Sequence, residues 1–224
     1  MKLRVVMRRL IGILCSLVLL IGCFGVFTGC LGFFAFGNID KADRIMILWS
    51  GLDDSYFCIE NAVAVQKMAQ LIPSTKNSVK GTKIDEERVN STTVIRINYL
   101  DGNYHAASVL VDKDLYAYYA TLTGGVRVFE ERFKLEKFVF IMLSHSLCTQ
   151  VQVEGVTLDQ LLPQLQSMEW ALSTTGHSNL TLVSKVTFNC ARNGSMLVYQ
   201  ADNSDIMRLE ISIGGQYNFT FVSK

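Results

Sequence analysis

The sequence predicts an α+β protein: an N-terminal membrane segment, then a β-rich extracytoplasmic region of antiparallel meanders with two short helices. Three observations support this class. Residues 10–37 carry no charge, two later segments have apolar residues at helical spacing, and most of the remaining chain alternates apolar and polar residues. We therefore divide the 224 residues into a segment at 1–37 and an exported region at 38–224, with a candidate division into two similar halves near 130–137.

The N-terminal segment carries the strongest signal for location. The basic residues before it are Lys2, Arg4, Arg8 and Arg9, and no acidic residue accompanies them. Such a cluster holds the N-terminus on the cytoplasmic side, and about 20 apolar helical residues are enough to cross the hydrocarbon core. The sequence thus predicts a membrane protein with a single N-terminal span or lipid anchor and an extracytoplasmic C-terminal region.

Within this segment, Leu20-Ile21-Gly22-Cys23 has an aliphatic residue three positions before a cysteine and a small residue directly before it. The motif resembles the bacterial lipobox, so the N-terminal 23 residues are similar to those of small cell-envelope lipoproteins of unknown activity. The resemblance implies that Cys23 is lipidated and becomes the first mature residue.

Two other fates of the segment remain open on the sequence. Its length favours an uncleaved signal-anchor, and the small residues Ala35 and Gly37 also suit signal-peptidase cleavage after residue 37. Gly25 and Gly29 form a small-xxx-small pattern, the kind of face on which two membrane helices approach closely. Membrane lipid is thus one expected partner, and a homodimer through these glycines is another candidate contact.

Two helices are predicted in the exported region. The first begins at Asn61, buries Val65 and Met68 among others, and ends before Pro73. The second begins at Thr157, which together with Gln160 has the pattern of a capping box. Pro163 lies inside this second pattern, so a kink or a restart is expected there.

The strands are predicted from alternation and from turn residues. Segments with alternating apolar residues flank Asp101-Gly102, Gly124-Gly125, Asn193-Gly194 and Gly214-Gly215, which are dipeptides typical of hairpins. The two helix starts and the first and third of these turns repeat in the same order, which suggests two similar halves. Residues 73–90 are rich in Ser, Thr, Lys, Asn and Gly and are predicted to be a loop.

The charge balance argues against a nucleic-acid partner, and the composition indicates no particular reaction. The chain has 21 basic and 20 acidic residues, and the region from residue 38 onward is net acidic, so no nucleic-acid partner is expected. No motif indicates a metal, a cofactor or a catalytic centre. Asp53-Asp54 and Glu130-Glu131 are interpreted as solvated turn residues rather than as a cation site.

Three cysteines, Cys58, Cys148 and Cys190, lie in the exported region, where one disulfide and one unpaired cysteine are expected. The pairing stays open on the sequence, as does the alternative that all three are buried thiols. A Cys nucleophile assisted by His105, His145 or His177 is the enzymatic alternative, although no motif places a cysteine beside a histidine.

Tyr116 and Tyr118 lie on one face of a predicted strand and form a candidate binding patch for a protein or glycan partner, with core packing as the favoured alternative. Candidate N-glycosylation sites occur at Asn90, Asn179, Asn193 and Asn218. The sequence therefore predicts a membrane-anchored binding or interaction protein rather than an enzyme. The alternatives are a viral or eukaryotic type II membrane glycoprotein and an envelope hydrolase with a Cys nucleophile.

Overall fold

The computed structural model describes residues 39–49, 57–72, 78–102, 104–120, 126–148, 151–173, 179–189, 194–202 and 205–224. Within these ranges the chain is β-rich, with two antiparallel sheets and four helices, as expected for an α+β protein. No helix in the described part of the chain is both long and apolar enough to cross a membrane. The membrane segment at 1–37, with Cys23 and with Gly25 and Gly29, lies outside the described residues.

The first sheet has seven strands and is called sheet A. Its spatial order is β2-β1-β4-β5-β6-β7-β3. The strands are β1 Arg44–Trp49, β2 Phe57–Ile59, β3 Ser78–Lys80, β4 Thr93–Asp101, β5 Tyr104–Asp112, β6 Tyr116–Ala120 and β7 Val126–Arg132.

The second sheet has six strands and is called sheet B. Its spatial order is β8-β10-β11-β12-β13-β9. The strands are β8 Gln152–Gly155, β9 Trp170–Leu172, β10 Leu180–Phe188, β11 Gly194–Ala201, β12 Met207–Ile213 and β13 Tyr217–Ser223.

The four helices are α1 Ala62–Ala69, α2 Lys83–Thr92, α3 Leu135–Ser144 and α4 Leu158–Ser167. The predicted helices correspond to α1 and α4. Asn61 caps α1 by accepting a hydrogen bond from the Ala64 backbone N–H at 3.0 Å. Thr157 is the N-cap residue of α4 but its side chain makes no capping hydrogen bond, and α4 contains Pro163 without being divided there.

The prediction of only two helices is wrong, because α2 and α3 were missed. The predicted loop at 73–90 contains β3 and most of α2; residues 73–77 of it lie outside the described residues. Helix α2 begins with a capping box in which Thr82 and Asp85 each bond the backbone N–H of the other. Helix α3 follows the end of β7 in the interval where the candidate division was placed.

Two of the four predicted turns, Asp101-Gly102 and Gly214-Gly215, lie in the described residues, and both close hairpins. Gly102 lies between β4 and β5 at φ 59°, in the left-handed region that glycine adopts without a Cβ penalty. Gly214 and Gly215, both at positive φ, join β12 to β13. Residues 121–125 and 190–193, which contain the other two predicted turns, lie outside the described residues. Glu130 and Glu131 belong to β7, so interpreting them as turn residues was wrong.

The alternating residues of both sheets point into one core. Ile95, Ile97 and Tyr99 of β4 and Leu209 and Ile211 of β12 are fully buried, as the alternation predicted. A single cluster of buried side chains contains the inward residues of both sheets together with those of α1, α3 and α4. The two sheets thus share one hydrophobic core.

Helix α3 lies at the centre of that core. It packs against α1 of the first half and α4 of the second, and eight of its ten residues are buried. A helix that is apolar on all sides must be surrounded by other elements, and here both halves surround it. The polar residues in the first turn of α3, Glu136 and Lys137, therefore lie between the two halves.

Candidate functional site

A cleft of about 400 Å³ opens beside the N-terminal end of α3, and we call it the α3 cleft. One wall comes from the first half, through the end of β7 and its connection to α3. The other wall comes from the second half, through β9 and the end of β13. The lining residues are Leu115, Glu131, Arg132, Phe133, Lys134, Glu136, Lys137, Glu169, Trp170, Leu172, Phe221 and Lys224. The volume lies in the range of about 300–1,000 Å³ that is usual for small-molecule sites.

Backbone hydrogen bonds hold both walls in place. On the first wall, the Phe133 N–H donates to the Leu115 carbonyl at 2.7 Å, which ties the end of β7 to the β5–β6 turn. On the second wall, the Lys224 N–H donates to the Glu169 carbonyl at 2.9 Å, which continues the pairing of β13 with β9. The cleft is therefore built on strand ends rather than on free loops.

Trp170 connects the second wall to the central helix. Its indole N–H donates to the Leu165 carbonyl of α4 at 3.0 Å, and its ring meets Phe140 of α3 edge-on with 6.4 Å between centroids. These contacts fix the ring orientation while leaving it half-buried at the cleft wall. Because Trp170 is one of two tryptophans in the chain, it is a specific reporter of this place.

Glu136 is the unusual group in the cleft. It lies in the first turn of α3 with only 4% of its surface exposed, although it is a carboxylic acid. Burial raises the pKa of Glu136 to about 7, against the opposing effects of its own backbone N–H and of Lys137 and Lys134. Among the described residues, none of the ion pairs within 4.0 Å includes Glu136. The carboxyl therefore gains and loses its proton near neutral pH, beside a cavity.

The remaining charges of the cleft are more exposed. The cationic side chains are those of Lys134, Lys137 and Lys224, and the other acidic side chains are those of Glu131 and Glu169; Arg132 also lines the cleft, but its guanidinium lies on the Tyr116 ring. The N-cap residue of α3 is Lys134, and it provides no side-chain capping hydrogen bond. The positive end of the helix dipole therefore faces the cleft together with these cations.

The tyrosines of the candidate binding patch lie elsewhere. Tyr118 is only 2% exposed and packs with Val89 of α2 and with Leu110 and Val126 in a second, smaller buried cluster. Tyr116 is half-buried, with the Arg88 and Arg132 guanidinium groups 5.0 and 5.1 Å from its ring centroid. Helix α2 covers this face of sheet A, so the Tyr118 ring has almost no surface left for a partner.

A buried carboxylate organises the same region. Asp112 is fully buried and accepts hydrogen bonds from the Tyr118 hydroxyl at 3.0 Å and from the backbone N–H groups of Asp114 and Tyr116 at 2.9 Å. The Arg88 guanidinium of α2 pairs with it at 2.8 Å and also pairs with Asp114 at 2.7 Å. These four partners satisfy the hydrogen-bonding capacity of the Asp112 carboxylate. Because Arg88 belongs to α2, the cluster attaches this helix to sheet A.

The cysteines differ in state. Cys148 is buried and disulfide-bonded, and Cys190 lies outside the described residues. Cys58 is a free, exposed thiol whose contact with the Glu60 carboxylate measures 3.9 Å. Partial burial, followed by the nearby Glu60 charge, raises the pKa of Cys58 above its ordinary value. The Cys58 environment therefore favours the thiol form, which is the weak nucleophile.

The other sequence candidates are dispersed. The His145 imidazole lies 3.3 Å from the Lys67 ammonium of α1. His177, Asp53-Asp54 and the side chain of His105 lie outside the described part of the chain. Asn179 and Asn218 are exposed; Asn90 is in α2 and Asn193 is outside the described residues. Among the described residues, no group of three or more His, Cys, Asp or Glu could hold a metal ion.

The α3 cleft was missed at the level of sequence, but one signal was present. Glu136 and Lys137 are the polar residues in a run, Leu135 to Leu143, that is otherwise apolar. Such a run predicts a buried helix with a polar end, and a buried polar end within a core is unusual enough to mark a candidate site.

Comparisons with known proteins add no relative. No family model matches the chain, and neither a curated protein nor a solved structure is similar to it.

Proposed function

We propose that this protein is a membrane-anchored extracytoplasmic binding protein without a catalytic role, and that the α3 cleft is where it takes a small ligand. The observation that carries the proposal is the cleft itself, a space of about 400 Å³ with the buried Glu136 at its edge. Ligand sites are usually concave, with polar groups that converge on the ligand.

The apolar part of the cleft supports a ligand with an apolar body. Trp170 and Leu172 on the second wall are half-buried, whereas Phe133 and Phe221 also line the cleft but are only 2% and 3% exposed. The Trp170 and Leu172 side chains therefore supply the apolar surface against which the apolar part of a small molecule packs. Tyr116 and Tyr118 were a candidate patch for a protein or glycan partner, with core packing favoured, and the burial of Tyr118 favours the cleft over that face.

We further propose that the two halves are related by duplication, with the division between them at α3. In sheet A, β1 precedes α1 in the chain and β3 follows it, and these two strands flank the four-strand meander β4–β7. In sheet B, β8 precedes α4 and β9 follows it, and they flank the four-strand meander β10–β13 in the same way. The first half differs by the additional β2 and α2. A cleft between two related halves is a common origin of a binding site in such folds.

A titration tests the cleft. We expect at least one of three probes that share a naphthalene body (2-naphthoate, 2-naphthalenemethanol and 2-naphthylmethylammonium) to shift the indole N–H signal of Trp170 in a ¹H–¹⁵N spectrum at pH 6. The signal of Trp49, which is 3% exposed in the core of sheet A, serves as the internal control, and Trp49→Phe assigns the two signals. If none of the three probes moves the Trp170 signal, the binding proposal is wrong.

A separate measurement tests the anchor. We expect the protein recovered from the membrane fraction of its host to begin at an acylated Cys23 or to retain residues 1–22, as shown by intact mass and N-terminal peptide mapping. Hexose-containing mass at Asn179 or Asn218, which are exposed, would instead support the alternative of a type II membrane glycoprotein. A chain that begins after residue 37 and is recovered outside the membrane would contradict the anchor.

A further inference from the structure

We infer that the ligand of the α3 cleft is a small organic anion with an apolar body, held by its acidic group at the N-terminal end of α3 beside Glu136. This inference rests on the proposed function, since it names the chemical class of ligand for the same cleft. It concerns three features of the structure that act on a bound acid: the cations, the helix end and the buried carboxyl.

The first feature is the balance of charge. The charged side chains that line the cleft with Glu136 are Glu131, Lys134, Lys137, Glu169 and Lys224, whereas the Arg132 guanidinium lies on the Tyr116 ring. Three ammonium groups balance three side-chain carboxylates when Glu136 is ionised, and they exceed them by one when Glu136 is protonated. With Glu136 protonated, these side chains attract an anionic group and repel a cationic one.

The second feature is the end of the helix. Helix α3 has ten residues, and the side chain of its N-cap residue, Lys134, makes no capping hydrogen bond. The Leu135 N–H donates to the Phe133 carbonyl at 3.1 Å, and the Glu136 N–H donates to the Glu136 carboxyl. A ligand carboxylate placed here interacts with the positive end of the helix dipole and with the Lys137 and Lys134 ammonium groups.

The third feature is the protonation state of Glu136. Two carboxylates in one site repel each other, and one of them takes up a proton. A protonated Glu136 donates its O–H to the ligand carboxylate and removes that repulsion. Binding of an anion therefore requires the neutral form of Glu136.

The pH dependence follows with a definite sign. Because burial raises the pKa of Glu136 to about 7, the carboxyl is mostly neutral at pH 6 and mostly ionised at pH 8. If only the neutral form binds the anion, affinity falls about tenfold between these two values. Lysine and arginine keep their charge throughout this interval, so they do not contribute to the change.

The test compares the three naphthalene probes by calorimetry and by the Trp170 indole signal. We expect 2-naphthoate to bind more tightly at pH 6 than the neutral and ammonium probes, and to lose about tenfold in affinity at pH 8. Glu136→Gln, which keeps the shape and stays neutral, should bind naphthoate equally at both pH values. Glu131→Gln, which changes an exposed carboxyl of the same cleft, should retain the pH dependence.

A second pair of variants tests the cations. Lys137→Met should weaken naphthoate binding about fivefold without weakening binding of the neutral probe, because it removes a charge beside Glu136 and keeps the aliphatic stem. Lys185→Met, on sheet B and paired with Glu154, should leave naphthoate binding unchanged. The Trp49 signal shows in each case whether the variant is folded.

The outcomes separate the two proposals. If the neutral or the ammonium probe binds the cleft best, the binding function stands and the anion class is wrong. A pH dependence that persists in Glu136→Gln overturns the role of Glu136 as the protonated partner. If no probe shifts Trp170, the anion class and the binding function fail together.

Discussion

Phe138→Ala is expected to lower the free energy of unfolding by about 3–5 kcal/mol, the usual cost of removing a buried phenylalanine. Phe138 has no exposed surface, lies in α3, and packs against Phe133 with 5.5 Å between ring centroids. The cavity left by its ring would lie in the buried cluster that contains the inward side chains of both sheets. Urea denaturation of the full exported region, followed by tryptophan fluorescence, measures the change.

Two features of that experiment test the shared core. Trp49→Phe leaves Trp170 as the reporter of sheet B, and Trp170→Phe leaves Trp49 as the reporter of sheet A. The two unfolding transitions should coincide because one buried cluster joins the sheets. Gln166→Ala, at an exposed position of α4, is the matched control and should change the free energy of unfolding by less than about 0.5 kcal/mol. Separate midpoints for the two reporters would mean that the halves unfold independently.

Asp112→Ala is expected to destabilise the protein by about 3–5 kcal/mol. The substitution removes a fully buried carboxylate and leaves the Tyr118 hydroxyl and two backbone N–H groups without their acceptor. It also removes the carboxylate that Arg88 uses to attach α2 to sheet A. Thermal or urea denaturation measures the loss, and amide hydrogen exchange should show that α2 loses protection first.

Asp114→Ala is the matched control for that experiment. Asp114 pairs with the same Arg88 guanidinium at 2.7 Å, but its side chain is 49% exposed, and exposed ion pairs contribute only about 0–1 kcal/mol. Asp112→Asn should lower the free energy of unfolding by less than Asp112→Ala and by more than Asp114→Ala, because the amide keeps one acceptor oxygen and loses the charge. Equal destabilisation by Asp112→Ala and Asp114→Ala would contradict a role for buried acceptors and reduce the cluster to a surface ion pair.

The strands could be predicted because their information is local. In β12 the residues Met207, Leu209 and Ile211 alternate with polar residues, and a strand with one face on a core requires that alternation. The Asp101-Gly102 and Gly214-Gly215 turns are equally local, since their backbone conformations favour glycine. Helix α1 was predicted from its cap and its apolar stripe for the same reason.

The two missed helices show two different limits of predicting helices from the sequence pattern. Helix α2 is polar, with few apolar residues to give a period, and its capping box at Thr82 and Asp85 was the available signal within a stretch that resembled a loop. Helix α3 was missed for the opposite reason: its residues are apolar all round, so they form no stripe. Its burial depends on both sheets closing over it.

The amino-acid sequence alone specified a basic N-terminus followed by an uncharged segment, and the α+β class with its alternating strands, since each depends on neighbouring residues. The α3 cleft depends on residues far apart in the chain, such as Leu115, Glu136 and Phe221, which meet because two sheets pack on one helix. The protonation of Glu136 has the same origin. Burial raises its pKa, and burial is a property of the packed molecule that no local pattern contains.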